Sequence, residues 1–252
     1  MAVSIDLRGR VVLVTGGVRG VGLGITRQFL AAGGTVVTCA RSAAAPVGPL
    51  ADHRVCDVRD PEAVSLLVEG IVADHGSLDV LVNNAGGSPY VLAADGSAGF
   101  HAKVVGLNLL APLSLMTAAN TLMQGQPDGG AIVNVSSVSA LRPSPGTASY
   151  GAAKAGLDSL TKSLAVEWAP RVRVNAIDVG LVATEQSGPH YGGPTGVAAI
   201  TETIPLGRLA SPDEVGSVAL FLASPLASYV SGATIECHGG GEPPAFLAAA
   251  RG

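Results

Sequence analysis

The chain has 252 residues, 48% of them apolar but only 4% aromatic, with 34 glycines and a net charge of −4. That length allows one large α/β domain or two small ones, around a core made mainly of Ala, Val and Leu. A weakly acidic chain without blocks of like charge excludes the basic footprint of a nucleic-acid binder and the charged patch of a membrane-surface protein.

In chain order, "MAVSIDLRGR" carries Asp6, Arg8 and Arg10 too early for a signal peptide, and no apolar run approaches the 18 or so residues of a membrane span. The chain therefore reads as soluble and intracellular. "RVVLVTG" predicts a first strand, and "GVGLGITRQFLAAGG" a helix stopped at Gly33-Gly34. "GTVVTCAR" and "HRVCDV" predict two more strands. The next helix has Asp60 as N-cap, Pro61 at its first position and Glu62 in its first turn. "LDVLVNN" and "GAIVNVSS" are strands again, followed by a long helix in which Leu157, Leu160, Leu164 and Trp168 form the buried stripe. After "RVRVNAI" the segment Glu185 to Gly207 loses periodicity and is expected to be one mobile excursion, with His190 and Tyr191 on a flexible tip. "SPDEVGSVALFLAS" restarts a helix from a Ser211 cap, and "GATIECH" is the last strand. Cys39, Cys56 and Cys237 each fall in a strand-like run, odd in number and far apart, which supports neither a disulfide framework nor a zinc site.

Almost unbroken apolar strands alternating with helices predict a doubly wound α/β fold, one domain over residues 1–252, with a parallel seven-stranded sheet and helices on both faces. In such sheets ligands bind beyond the carboxyl ends of the strands. "TGGVRGVG" (Thr15 to Gly22) lies there, and Gly16, Gly20 and Gly22 are read as letting a pyrophosphate approach the backbone at a helix N-terminus. Their spacing, G-x-x-x-G-x-G, is not the usual dinucleotide fingerprint, so position rather than pattern carries that reading. Tyr150 and Lys154 lie one turn apart on the long helix.

Together "TGGVRGVG", "NNAG", the Asn of "GLNLLAP", Ser137, "YGAAK" and "IPLGRLASPDEVGSVALFLAS" resemble the short-chain dehydrogenase/reductases over nearly the whole chain, with Tyr150 following Ser137 by 13 positions. The resemblance implies a Rossmann fold and hydride transfer between a nicotinamide and a carbonyl or secondary alcohol. Tyr150 would be the proton donor or acceptor, and Lys154 would lower its pKa and hold the nicotinamide ribose. Ser137 would bind the substrate oxygen, and Asn108 would anchor a water of the proton relay. It also implies that Val21 joins Gly16, Arg19, Gly20 and Gly22 around the cofactor. Asp57 and Val58 would contact adenine, Asn84, Ala85 and Gly86 the adenosine side, and Gly180, Val182 and Thr184 the nicotinamide.

Where an acid usually binds a free ribose 2′-hydroxyl, this chain has Ala40, then Arg41 and Ser42, with Arg19 in the glycine turn. Two arginines suit a 2′-phosphate, so NADP(H) is expected over NAD(H). The leading expectation is a cytoplasmic carbonyl reductase, of the 3-oxoacyl kind or similar. It would act on a small or moderately apolar carbonyl, as a homotetramer or dimer, with residues 185–207 as lid. The alternatives are an NAD-dependent alcohol dehydrogenase working oxidatively and a non-catalytic dinucleotide-binding regulator. Val179 stands where the family has proline, which predicts a less fixed loop. His238 replaces an aspartate and is read as a buried structural or subunit-contact residue, and the tail is read either as a contact hiding Phe246 and Leu247 or as a disordered end.

Overall fold

Five β-branched or apolar residues buried on both faces make β1 (Val11–Thr15) a central strand. In the computed structural model, which describes residues 4–49, 51–244 and 246, it is followed by α1 (Gly20–Ala31), β2 (Thr35–Ala40), β3 (Ala51–Val55), α2 (Pro61–His75) and β4 (Val80–Asn83). One continuous helical stretch then comprises α3 (Ala98–Val105), a π-helical turn (Gly106–Leu110) and α4 (Ala111–Met123). The chain goes on through β5 (Gly130–Val135), α5 (Ala148–Glu167), β6 (Val172–Val179), α6 (Ser187–Tyr191), α7 (Gly193–Glu202), α8 (Pro212–Ala223) and β7 (Thr234–Cys237).

The seven strands form one sheet in the order β3-β2-β1-β4-β5-β6-β7, and every ladder is parallel. The expected doubly wound sheet is therefore present. Ile25 and Phe29 of α1 pack with Val215, Ala219 and Leu222 of α8 on one face. On the other, Leu67 and Ile71 of α2, Leu115 and Met116 of α4, and Leu157 and Leu164 of α5 share a second core. The order reverses between β1 and β4, so their carboxyl ends open the crevice in which such sheets bind ligands.

The predicted caps are in place. Asp60 accepts from the Glu62 and Ala63 amides at 3.0 and 3.3 Å. Ser211 and Glu214 form a reciprocal capping box at the start of α8. Each such cap is worth about 1 kcal/mol.

Three expectations change. Residues Glu185 to Gly207 hold two helices, α6 and α7, instead of an irregular excursion; Gly192 and Gly193, both with positive φ, make the break between them. Val179 lies inside β6 in register with Cys237, and the Gly180 amide donates to the Cys237 carbonyl at 3.0 Å. Ladder hydrogen bonds thus fix the backbone that a proline ring would otherwise hold. The stretch Ala98–Met123, 26 residues with mean hydropathy 1.4, is long and apolar enough to span a bilayer by length and composition. Here it is a core helix, with Leu115, Met116, Ala119 and Met123 buried against the sheet.

Candidate active site

The carboxyl ends of the strands surround a cavity of about 1180 Å³. Gly16, Arg19, Gly20, Val21 and Gly22 form its wall after β1; Arg41 and Ser42 follow β2, and Asp57 and Val58 follow β3. Asn84, Ala85 and Gly86 continue from β4. Gly180, Val182 and Thr184 close the far side, with Ser137, Tyr150 and Lys154 between. The sequence signals, scattered over 170 positions, thus converge on one cavity, with Asn108 alone behind the wall.

The glycines divide their work. Gly20 has φ +50° and lines the cavity, where a Cβ would meet nothing closer than the Thr184 methyl at 3.6 Å. At Gly22 a Cβ would lie 2.2 Å from the Gly16 carbonyl oxygen and 2.5 Å from Asn84 Nδ2, so this glycine, also on the cavity wall, is needed for the turn to close on β4. Asn84 completes that closure by donating to the Thr15 carbonyl at 2.8 Å. Arg19 is the N-cap of α1 and gives it no side-chain hydrogen bond, which leaves the first-turn amides available to an anion.

Arg19 and Arg41 are exposed at the rim, and among the described residues neither makes an ion pair. Asp57 is held by Arg59 at 2.5 Å, and the hydrogen bonds from the Arg59 side chain and amide, with smaller help from the charges of Arg59 and Arg41, bring its carboxyl down to about 2. The residues present therefore fit a dinucleotide: uncapped amides for a pyrophosphate and two free guanidinium groups near the adenosine end.

At the other end, Ser137 sits in extended backbone just past β5, and its hydroxyl accepts from the Ser139 amide at 3.2 Å. Lys154 is 3% exposed and donates from Nζ to the Val135 carbonyl at 2.7 Å. Burial pulls its ammonium down to about 8, against the opposing pull of Asp158 and Asp178. Its Nζ is 5.7 Å from the centre of the Tyr150 ring. Burial raises the Tyr150 phenol above its ordinary value and the Ser137 hydroxyl lowers it.

Asn108 lies in the π-helical turn, fully buried, with both Nδ2 hydrogens and Oδ1 bonded within the protein. Its side chain clamps the Gly86-Gly87 wall and has no amide hydrogen left for a relay water.

Sequence reasoning missed two features. Tyr191, read as part of a flexible tip, lines the cavity, and burial raises its phenol; the side chain of His190 lies outside the described residues. A smaller cavity of about 240 Å³ adjoins at Gly180, lined by Val138, Leu141, Leu181 and Ile204, with Glu236 and His238 in contact. His238 is thus paired with Glu236 on that wall. Phe246 of the tail is 68% exposed within this chain, and Leu247 lies outside the described residues.

Comparison with known proteins agrees with this geometry. Residues 16–242 match the family model described as enoyl-(acyl carrier protein) reductase. A 3beta-hydroxysteroid dehydrogenase of Eggerthella lenta is 35% identical over 93% of this chain and 94% of its own. A 3-oxoacyl-(acyl-carrier-protein) reductase of Thermotoga maritima is 35% identical over 93% and 98%. The solved structure of the aldohexose dehydrogenase of Thermoplasma acidophilum superposes with a TM-score of 0.89 at 30% identity, covering 96% of this chain and 99% of that one. Sheet order, cavity and relatives converge on one assignment: the chain belongs to the short-chain dehydrogenase/reductase family, nicotinamide-dinucleotide oxidoreductases acting on alcohol and carbonyl groups.

Proposed function

We propose that this protein is an NADP(H)-preferring reductase of a small or moderately apolar carbonyl compound, with Tyr150 as the proton donor. The observation that carries the cofactor preference is that Arg19 and Arg41, which make no ion pair among the described residues, stand at a rim where β2 ends in Ala40 and offers no acid. A carboxylate there would repel a 2′-phosphate, whereas a guanidinium pairs with it through two hydrogen bonds. The apolar lining of the smaller cavity by Val138, Leu141, Leu181 and Ile204 supports an apolar substrate body, with residues 185–207 as the lid over it.

When bound, the nicotinamide supplies the hydride. The chain's own residues do the rest. Tyr150 Oη and Ser137 Oγ hold the substrate oxygen, and Tyr150 gives it a proton as the alcohol forms. Ser137 donates a hydrogen bond to the charge that develops there. Lys154 holds the cofactor ribose, and its positive charge favours the tyrosinate left behind. Asn108 keeps the Gly86-Gly87 wall in position next to Lys154. The same groups run the oxidation in reverse, and the relatives named as dehydrogenases favour that direction as a second reading.

Replacing Arg41 by Asp tests the proposal. The kcat/KM ratio for NADPH over NADH, measured with a panel of ketones and 3-oxoacyl thioesters, should reverse in the variant. An unchanged ratio would remove Arg41 from cofactor selection.

A further inference from the structure

Beneath Lys154 lies a group of charged side chains that the reaction above does not use. Asp158 is one helical turn beyond Lys154 on α5. Asp178 is near the end of β6, on the same strand face as Val172 and Val174, which share a core with Leu157 and Leu164 of α5. Asp178 is 0% exposed and Asp158 8%. No hydrogen bond of ordinary length and angle reaches either oxygen of Asp178 or Oδ1 of Asp158. The two carboxyls are nevertheless close enough to interact with each other, and the Ser136 hydroxyl lies beside both. The Ser137 amide is near Asp178, and both carboxyls act on the Lys154 ammonium.

Two buried carboxylates side by side do not both ionise at modest cost. One proton between them removes the repulsion and supplies the donor that their oxygens lack. The pair then carries one negative charge, which matches the single positive charge of buried Lys154; an ammonium buried without such a partner would be strongly penalised. The other groups around the pair do not replace it. Just past β5, Ser136 and Ser137 are neutral, as is Asn108 of the π-helical turn, and Tyr150 lies a turn before Lys154 on α5. Glu236 of β7 is in register with Asp178 and adds further negative charge, but it is paired with His238.

We propose that Asp158 and Asp178 share one proton and together act as the buried counter-ion that keeps Lys154 cationic and in place beside Tyr150. They are positioning residues: neither lines the cavity, and both act through the lysine. The inference rests on Lys154 being the lysine of the hydride-transfer site, but two of its tests need no turnover.

The chain contains only three lysines, Lys103, Lys154 and Lys162. Selective ¹³C labelling of lysine, with Lys154→Arg to assign the signal, therefore gives the Lys154 titration directly by NMR. In the double variant Asp158→Asn/Asp178→Asn the Lys154 midpoint should fall by about one pH unit, a ten-fold loss in proton affinity, whereas either single variant keeps one carboxylate and should hold the midpoint. The alkaline limb of the kcat/KM profile should fall with it. Infrared spectra of the wild-type protein at about pH 5, below the Asp158 midpoint of about 6, should show a buried carboxylic-acid carbonyl band, shifted in heavy water and absent from either Asn variant that folds. The wild-type infrared measurement keeps the test decisive if one variant fails to fold. No acid band at about pH 5, or a Lys154 midpoint unmoved in the folded double variant, would overturn the proposal. Absence of turnover with an acid band and a shifted lysine would instead count against the proposed reaction and leave the buried pair standing.

Discussion

Asn108 and Gly87 exchange two hydrogen bonds, the Gly87 amide donating to Oδ1 at 2.8 Å and Nδ2 donating to the Gly87 carbonyl at 2.9 Å. A buried side-chain amide thus takes the place of a neighbouring strand for the backbone that leaves β4. The second Nδ2 hydrogen goes to the Val104 carbonyl at 2.9 Å, tying the same residue to its own helix. Removing the side chain leaves buried backbone groups unpaired, at about 1–3 kcal/mol. Asn108→Ala should therefore lower the urea midpoint and weaken cofactor binding together. Asn108→Asp should rescue neither, because it puts a carboxylate oxygen in place of the amide donor, facing two carbonyl oxygens.

Tyr150→Phe keeps the ring beside Lys154 and removes only the hydroxyl. Turnover should fall by about 10²–10⁴-fold, while the cofactor dissociation constant stays within about two-fold. Ser137→Ala should lower turnover as well and, by removing the group that favours the phenolate, raise the pH needed for oxidation. Steady-state rates and fluorescence titration separate the two effects.

The two turn glycines should respond differently to alanine. In Gly22→Ala the new methyl meets the Gly16 carbonyl, and overpacking of this kind costs about 1–3 kcal/mol. Gly20→Ala meets no atom closer than 3.6 Å but has to hold φ +50°, at about 1–2 kcal/mol. Gly22→Ala should lose cofactor binding through a distorted turn. Gly20→Ala should lose it through a methyl that faces the cavity, with β4 still closed on β1. Amide chemical shifts of Asn84 and Ala85 distinguish the two.

Much of this arrangement was legible in the sequence because the signals are local. Asp60-Pro61 and Ser211 with Glu214 announce helix starts within four residues, and Ser137, Tyr150 and Lys154 stand close together in the chain. The Asp158–Asp178 pair was not legible, because its members belong to a helix and a strand that only the folded sheet brings together. Nor was the Asn108 clamp, since nothing in "GLNLL" announces a π-helical turn. The α6–α7 pair was hidden by the glycines and prolines that separate and start its helices.

The buried carboxyl of Asp158 gives stability a pH dependence of known sign. Burial raises it from 3.8 to about 6, so the folded protein binds this proton more tightly than the unfolded chain does. Its contribution is complete below 3.8 and is lost as pH rises through about 6. Asp158→Asn, which has no such proton to lose, should gain stability relative to wild type as pH rises across that window. Thermal melts of the two proteins at pH values on either side of it provide the check.

Cofactor choice is best read by titrating the purified protein with NADPH and, separately, NADH, following nicotinamide fluorescence, and repeating both with Arg19→Ala and Arg41→Ala. NADPH should bind tighter than NADH by roughly ten-fold or more, about 1.4 kcal/mol, and each substitution should weaken NADPH while leaving NADH nearly unchanged. Equal or tighter binding of NADH by the wild-type protein would contradict the assignment of Arg19 and Arg41 to a 2′-phosphate.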